Sequence, residues 1–302
     1  MKNNIETTLY MTVGLPASGK SSLYESEYSD CYYVSSDKIR KEYFGNEEDQ
    51  TNNTEVFRIF REETILALKK GYKVYCDATN LSAKRRRAFL KNIDSQFSNV
   101  KKVCLLLVIP IEECIENDQK RERHVTAEII TKMCKNFEVP SRFEGWDDIE
   151  VYGHRTGNKS KLGCILYKLA TEPHDNPHHT LTIGTHMLKA YEYAVANEFP
   201  YAVQRAALYH DIGKGFCKSF ISPQGEKTEY AHYWNHANVS AYIYMTYANC
   251  EDIDTDLYIA NLIQNHMIFF NGDAVLHNLR KRTDEKFIKY LTLLHEADLA
   301  AH

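Results

Sequence analysis

Apolar residues along this chain follow two rhythms, and the change between them divides it. Through the first half the apolar runs are short and dense: Leu9 to Val13, Cys31 to Val34, Lys73 to Cys76 and Val103 to Ile109. Each has strand length, and helical spacing fills the intervals, beginning with Lys20 to Glu27. Val103 to Ile109 is nearly all apolar, as a strand covered on both faces should be. Alternating strands and helices predict an α/β domain with a parallel sheet. In the second half helical spacing takes over, at Ile183 to Ala196, Tyr201 to His210, Ala231 to Tyr247, Asp256 to His266 and Glu285 to Ala300. No strand pattern competes there, so this half is expected to be all-α.

Turn formers cluster between Pro140 and Pro177, at Gly153 to Ser160 and again at Glu172 to Pro177. They place a boundary, with domains expected at 1–155 and 176–302 and a linker at 156–175. Histidine usage sharpens that division: eleven of the thirteen histidines follow Pro173. A net charge of −4 excludes a uniformly basic nucleic-acid binder, though not a local basic groove. No apolar run approaches the roughly 20 residues that cross a bilayer, and Met1 to Tyr10 has no signal-peptide pattern. Eight scattered cysteines without a C-x-x-C pair read as reduced thiols. The expectation is a cytoplasmic protein that does not bind membranes.

The first apolar strand runs directly into Gly14, Leu15, Pro16, Ala17, Ser18, Gly19, Lys20 and Ser21, with Ser22 next. This is the pattern G-x-x-x-x-G-K-[ST] between a strand and a helix. Gly14 and Gly19 let backbone N–H groups turn inward, and the helix N-terminus favours an anion. Lys20 is expected to reach the β- and γ-phosphates of ATP and Ser21 to hold Mg²⁺, with Ser18 and Ser22 lining the same loop. The next strand ends in Ser35, Ser36, Asp37, Lys38, Ile39 and Arg40. Asp37 is either a general base for an attacking hydroxyl or a helix N-cap, and Arg40 is a candidate phosphate clamp. The third strand ends in Asp77, Ala78, Thr79 and Asn80, followed by Lys84, Arg85, Arg86 and Arg87. Asp77 is placed to orient Mg²⁺. Thr79, Asn80, Arg85 and Arg86 are candidates for acceptor contact, the basic run otherwise being a solvated helix face. Arg121 and Arg123 suit a lid over ATP.

This order of motifs, ending in Pro140 to Trp146, resembles the phage-type 5′-hydroxyl polynucleotide kinases over residues 5 to 153. The resemblance implies Lys20 and Ser21 at ATP and Mg²⁺, Asp37 as base, Arg40 at the acceptor phosphate, and Arg121, with Arg123 second, at the transferring group. Ala78 between Asp77 and Thr79 departs from the pattern of some relatives and loosens the role of Asp77.

The helical half carries His186, His210 with Asp211, His232, His236, His266 and Asp298. Imidazoles and carboxylates suit Mn²⁺, Zn²⁺, Fe²⁺, Ni²⁺ or Co²⁺, and a carboxylate such as Asp211 can bridge two ions. Gly213 permits a tight exit from the helix, and Lys214 is placed to neutralise a phosphate. The set resembles the HD superfamily of metal phosphohydrolases, which implies one or two metals on His186, His210, Asp211, His236, His266 and Asp298. His232 competes with His236, and His178 and His179 with His186.

Together these readings predict an α/β P-loop kinase domain followed by an all-α HD-type domain. The expected enzyme heals nucleic-acid ends. It would phosphorylate a 5′-hydroxyl with ATP and remove a 3′-phosphate, 2′-phosphate or 2′,3′-cyclic phosphate. RNA ends are favoured over DNA, with an RNA ligase acting downstream. A small-molecule kinase fused to a nucleotide phosphohydrolase, and a nucleotide-switched sensor without turnover, are the alternatives.

Overall fold

The computed structural model describes residues 6–47, 50–122, 124–153, 159–177, 180–222, 224–248 and 252–301. They pack as two units, Met1–Ile130 with Arg142–Gly153, and Thr131–Ser141 with His154–His302.

The first unit alternates strand and helix: β1 (Thr7–Gly14), α1 (Lys20–Glu27), β2 (Tyr32–Ser35), α2 (Ser36–Phe44), α3 (Asn53–Lys69), β3 (Val74–Asp77), α4 (Ala83–Gln96), β4 (Val100–Leu107) and α5 (Ile111–Gln119). After α6 (Ala127–Lys135), which carries the chain out of this unit, β5 (Asp148–Tyr152) completes the sheet. The strands are parallel in the order β2-β3-β1-β4-β5. The centre is apolar on both faces, with Leu9, Met11, Val13, Cys104, Leu105 and Leu106 all buried. Helix α3 turns Val56, Ile59, Phe60, Ala67 and Leu68 inward, the stripe that 3.6-residue periodicity requires. Strand β5 escapes the sequence pattern because it is an edge strand carrying Asp148 and Glu150, with only Ile149 buried.

Local bonds fix the carboxyl ends of the central strands, where ligands of open α/β sheets bind. The Gly14 amide donates to the Thr79 carbonyl at 3.1 Å. The Asn80 side chain donates to the Thr12 carbonyl at 2.8 Å, and Asn80 itself stands in the left-handed region at φ 46°.

The second unit contains α7 (Lys159–Leu169), α8 (Ile183–Ala196), α9 (Tyr201–Tyr209), α10 (Lys214–Cys217), α11 (His236–Tyr247), α12 (Ile253–Asn265), α13 (Asp273–Arg280) and α14 (Glu285–Ala300). Helix α11 is central and buried along most of its length, from Val239 to Thr246. It therefore shows no polar face. The strip 131–141 lies against this unit. Phe137 meets Tyr242 edge-on at 4.8 Å, and the Asn261 side chain donates to the Pro140 carbonyl at 3.0 Å.

Three departures from expectation matter here. This half is not all-α: β6 (Ser219–Ile221) and β7 (Lys227–His232) form an antiparallel hairpin. Only Ala231 of β7 is buried, so no apolar alternation announces the strand. The helix expected from Ala231 instead begins at His236, because Asn235 turns into the left-handed region at φ 61°. The segment taken as linker contains α7. Among the described residues no helix is long and apolar enough to cross a membrane.

Candidate functional site

In the first unit the glycine loop joins β1 to α1, and Gly19 at φ 93° makes the left-handed turn into the helix. The Lys20 ammonium is folded back on the loop, donating to the Leu15 carbonyl at 2.5 Å and the Gly14 carbonyl at 3.3 Å. Burial lowers its pKa, with the nearby Asp77 carboxylate opposing the shift. Asp37 and Arg121 also act on the Lys20 charge, so both lie near the loop. The Ser21 hydroxyl donates to Asp77 Oδ2 at 3.0 Å. A hydroxyl and a carboxylate side by side, next to a lysine over a helix N-terminus, fit ATP with Mg²⁺. Ser18 is buried in the loop wall and Ser22 is exposed. Tyr33 was not foreseen: its hydroxyl donates to the same Asp77 Oδ2 at 2.5 Å, across from β2.

The N-cap of α2 is Ser35, whose hydroxyl accepts from the Lys38 amide. Asp37 is thus not the cap. Its carboxylate is half exposed and accepts from Arg40 Nη1 at 2.9 Å. Arg40 is buried, and its Nη2 donates to Asn53 at 2.7 Å. The basic run divides sharply. Arg85 is exposed, whereas Arg86 is 1% exposed and forks onto Glu144 at 2.7 and 2.6 Å. Arg86 also donates to the Asn80 and Leu81 carbonyls, both at 2.9 Å, and Trp146 donates to Glu144. A guanidinium so enclosed has no edge to offer an acceptor strand, and the expectation for Arg86 is corrected to a structural one. Thr79 and Asn80 are half-buried, their turn tied to β1. Arg121 is exposed beyond the buried Asp118, whose carboxylate accepts from the Val125 and Thr126 amides and ties down the segment after α5. Arg123 lies outside the described residues.

In the second unit imidazoles from α8, from α11 and from the residues that end α9 and α12 converge on one carboxylate. Asp211, just beyond α9, has two faces. Its Oδ2 lies 3.7 Å from His186 Nε2 and 3.5 Å from His210 Nε2; its Oδ1 lies 3.1 Å from His236 Nε2 and 3.6 Å from His266 Nε2. Asp298 of α14 joins the first face, 2.9 Å from His186 and 3.4 Å from His210. Donor atoms of His186, His210 and Asp211 lie within 4.8 Å of one another, as do those of Asp211, His236 and His266. His232 is elsewhere, stacked on Trp234, and His178 and His179 lie outside the described residues. Gly213 has an ordinary φ of −77°, so its role is space rather than a helix exit. A Cβ there would meet the Ser240 amide at 2.6 Å and the His236 carbonyl at 2.7 Å.

Imidazole orientation tests whether a cation fits. His236 Nδ1 bonds the Tyr233 carbonyl at 2.9 Å and His266 Nδ1 the Ile263 carbonyl at 2.7 Å. Those bonds put a proton on each Nδ1 and bring the two Nε2 atoms within 3.2 Å of each other. Burial holds His266 below its ordinary pKa, against the pull of Asp211. On the other face burial opposes charge on His210, yet Asp211 and Asp298 lift it to about 9. Asp211 stays well below the usual carboxylate range although burial opposes this, because Lys214 and His210 stand beside it. Imidazole nitrogens and carboxylate oxygens converging in a buried site suit divalent ions with mixed N/O preference. Lys214 Nζ lies 2.6 Å from Asp211 Oδ2.

Residues 9–140 match the family model for the AAA domain, and residues 178–300 match that for the HD domain. No curated protein matches the chain. Among solved structures, one chain of a Pnkp1/Rnl/Hen1 RNA repair complex is similar at 19% identity and a TM-score of 0.38, over 44% of this chain and 45% of that one. A putative kinase from Chloroflexus aurantiacus J-10-fl is similar at 12% identity and a TM-score of 0.41, over 50% and 87%. A fungal RNA kinase is similar at 14% identity and a TM-score of 0.37, over 56% and 88%. The chain thus matches less than half the length of the first of these.

Proposed function

We propose that this chain, an AAA-type kinase domain joined to an HD domain, heals both ends of a broken nucleic-acid strand, RNA in preference to DNA. One observation carries the reading. The same chain holds a Lys20–Ser21–Asp77 phosphate loop and, in its other unit, an Asp211 carboxylate whose two oxygens each face a separate histidine pair.

At the first site the 5′-hydroxyl of the strand gives its proton to Asp37, and Arg40 holds that carboxylate in place through its 2.9 Å bond. Lys20 leaves the loop carbonyls for the β- and γ-phosphates of ATP, and Ser21 with Asp77 would hold Mg²⁺. Arg121, on the lid, neutralises charge on the transferring group. Arg85 offers its exposed guanidinium to the acceptor backbone. The assignment of a polynucleotide acceptor rests on the motif order that resembles the 5′-hydroxyl polynucleotide kinases.

At the second site His186, His210, Asp211 and Asp298 would hold one divalent ion, and Asp211, His236 and His266 another. Such ions supply Lewis acidity and a hydroxide near neutral pH. The carbonyls behind His210, His236 and His266, 2.7–2.9 Å from their Nδ1 atoms, fix the rings and keep Nε2 as the ligand atom. Lys214 takes a phosphoryl oxygen. The products, a 5′-phosphate and a 3′-hydroxyl, are what a ligase joins.

An RNA oligonucleotide with a 5′-hydroxyl and a 3′-phosphate, incubated with ATP, Mg²⁺ and Mn²⁺, tests this directly. Both ends are expected to be converted, Lys20→Ala losing only the first conversion and Asp211→Asn only the second. Turnover of free nucleosides and nucleotides as fast as the oligonucleotide would replace this reading with that of a small-molecule kinase and nucleotidase.

A further inference from the structure

One titratable side chain against the histidine–aspartate cluster is neither a proposed ligand nor part of the residues matched by the HD family model. His174 sits in the loop before α8 and is 1% exposed. Its ring lies edge-on to His186 at 5.7 Å. Its Nδ1 bonds the Leu181 carbonyl at 2.9 Å, so the ring proton is on Nδ1 and Nε2 carries a lone pair. That lone pair faces Lys214 Nζ at 3.5 Å. Burial, reinforced by the Lys214 charge, lowers the His174 pKa to about 4.

The loop that presents His174 is tied down on several sides. Lys218 donates to the Pro173 carbonyl at 2.8 Å and pairs with Asp175 at 2.8 Å. The Ala231 amide donates to the Asp175 carbonyl at 2.8 Å, and the Tyr233 hydroxyl donates to the His174 carbonyl. A buried, neutral, fixed imidazole is a directional acceptor, whereas a lysine stem is flexible and its ammonium rotates freely.

We propose that His174 is a positioning residue: its Nε2 lone pair holds the Lys214 ammonium so that the N–H not engaged by His174 or Asp211 faces the phosphoryl group undergoing hydrolysis. This rests on the reading of the second unit as a phosphohydrolase. An ammonium has three donors. Asp211 Oδ2 takes one at 2.6 Å and His174 takes a second at 3.5 Å. The Tyr233 ring, 5.5 Å from Nζ, covers another side of the same group. Fixing two donors leaves the third one direction, toward an anion beside Asp211. Without His174 the ammonium can collapse fully onto the carboxylate.

Two substitutions separate positioning from loop support. His174→Asn retains a donor for the Leu181 carbonyl but loses the acceptor for Lys214. His174→Gln reaches the Nε2 position with an amide oxygen and gives up the Leu181 bond. In the full-length protein, release of a 3′-phosphate from RNA is expected to fall about 10–100-fold in kcat/KM in His174→Asn, the range of losses for groups that orient a metal site from outside it. His174→Gln should restore most of the rate, and both should retain wild-type metal content. In the metal-stripped full chain, Lys214→Met should move the imidazole ¹⁵N resonance of His174 Nε2 and leave Nδ1 protonated. A normal rate in His174→Asn, equal losses in both variants, or a Nε2 resonance indifferent to Lys214 overturns the proposal. Absence of phosphate release by the wild type with every divalent ion would instead overturn the phosphohydrolase reading, and the spectroscopic result would still stand or fall alone.

Discussion

In the first unit the groups proposed to receive phosphate are largely backbone, the loop at the N-terminus of α1. One lysine there is parked on its own loop carbonyls at 2.5 and 3.3 Å. In the second they are side chains: imidazoles and carboxylates from distant stretches of chain, buried together. In the first arrangement Lys20 has carbonyl acceptors and Asp77 has two donors. In the second, Lys214 and His210 stand beside an Asp211 carboxylate that faces a histidine pair on each side. A cradle of backbone can be encoded by eight consecutive residues, but a cluster of side chains must be assembled by tertiary packing.

The strongest break of this contrast is Asp211→Asn. Removing the carboxylate that serves both histidine pairs should cost hydrolysis on the order of 10³-fold or more, with metal content falling and phosphoryl transfer unchanged. Parallel end-group assays and elemental analysis check it. Next comes Arg86→Met, which strands the buried Glu144 carboxylate and should destabilise the first unit by about 3–5 kcal/mol in denaturant. Arg86→Met with Glu144→Met should recover most of that loss. Arg85→Ala should change stability by no more than about 0.5 kcal/mol while weakening oligonucleotide binding. Chelation is a milder test. If ions at about 100 times their dissociation constant are stripped, the second unit should lose about 2.7 kcal/mol for each ion. Faster hydrogen exchange in α8, α9, α11, α12 and α14 would report it, while the sheet of the first unit stays protected. The smallest effect is expected from Tyr33→Phe, which removes one of the two donors to Asp77 and about 1 kcal/mol. Phosphoryl transfer should slow about fivefold, and hydrolysis should not change.

What the sequence discloses follows the same line. Helices α1, α8 and α14 begin and end where their local spacing places them, because a helix is written in neighbouring residues. The glycine loop is legible for the same reason. The hairpin β6–β7 is hidden because its strands are mostly exposed and polar, and β5 because an edge strand need not alternate. Within Lys84 to Arg87, helical spacing puts Arg86 and not Arg85 on the stripe of Ala83, Leu90 and Ile93, but the partner that neutralises it, Glu144, lies 58 residues on. Tyr33 and His174 are invisible for a related reason. Each matters through a partner brought near by folding, Asp77 for one and Lys214 for the other.

The path of the chain between the units has its own consequence. It leaves the first after Ile130, lends Phe137 and Pro140 to the second, returns for Arg142–Gly153, and only then departs for good. No single cut separates the two. A scission near residue 153 strips the C-terminal piece of the strip that lies on Tyr242 and Asn261, and a scission near 130 deprives the N-terminal piece of β5 and of Glu144. During synthesis the first unit can close once Gly153 has been made, but Thr131–Ser141 must wait, unburied, for a surface that does not yet exist. The two units are therefore bound together by biosynthesis, and a gene split between them would have to duplicate that strip to keep both folded.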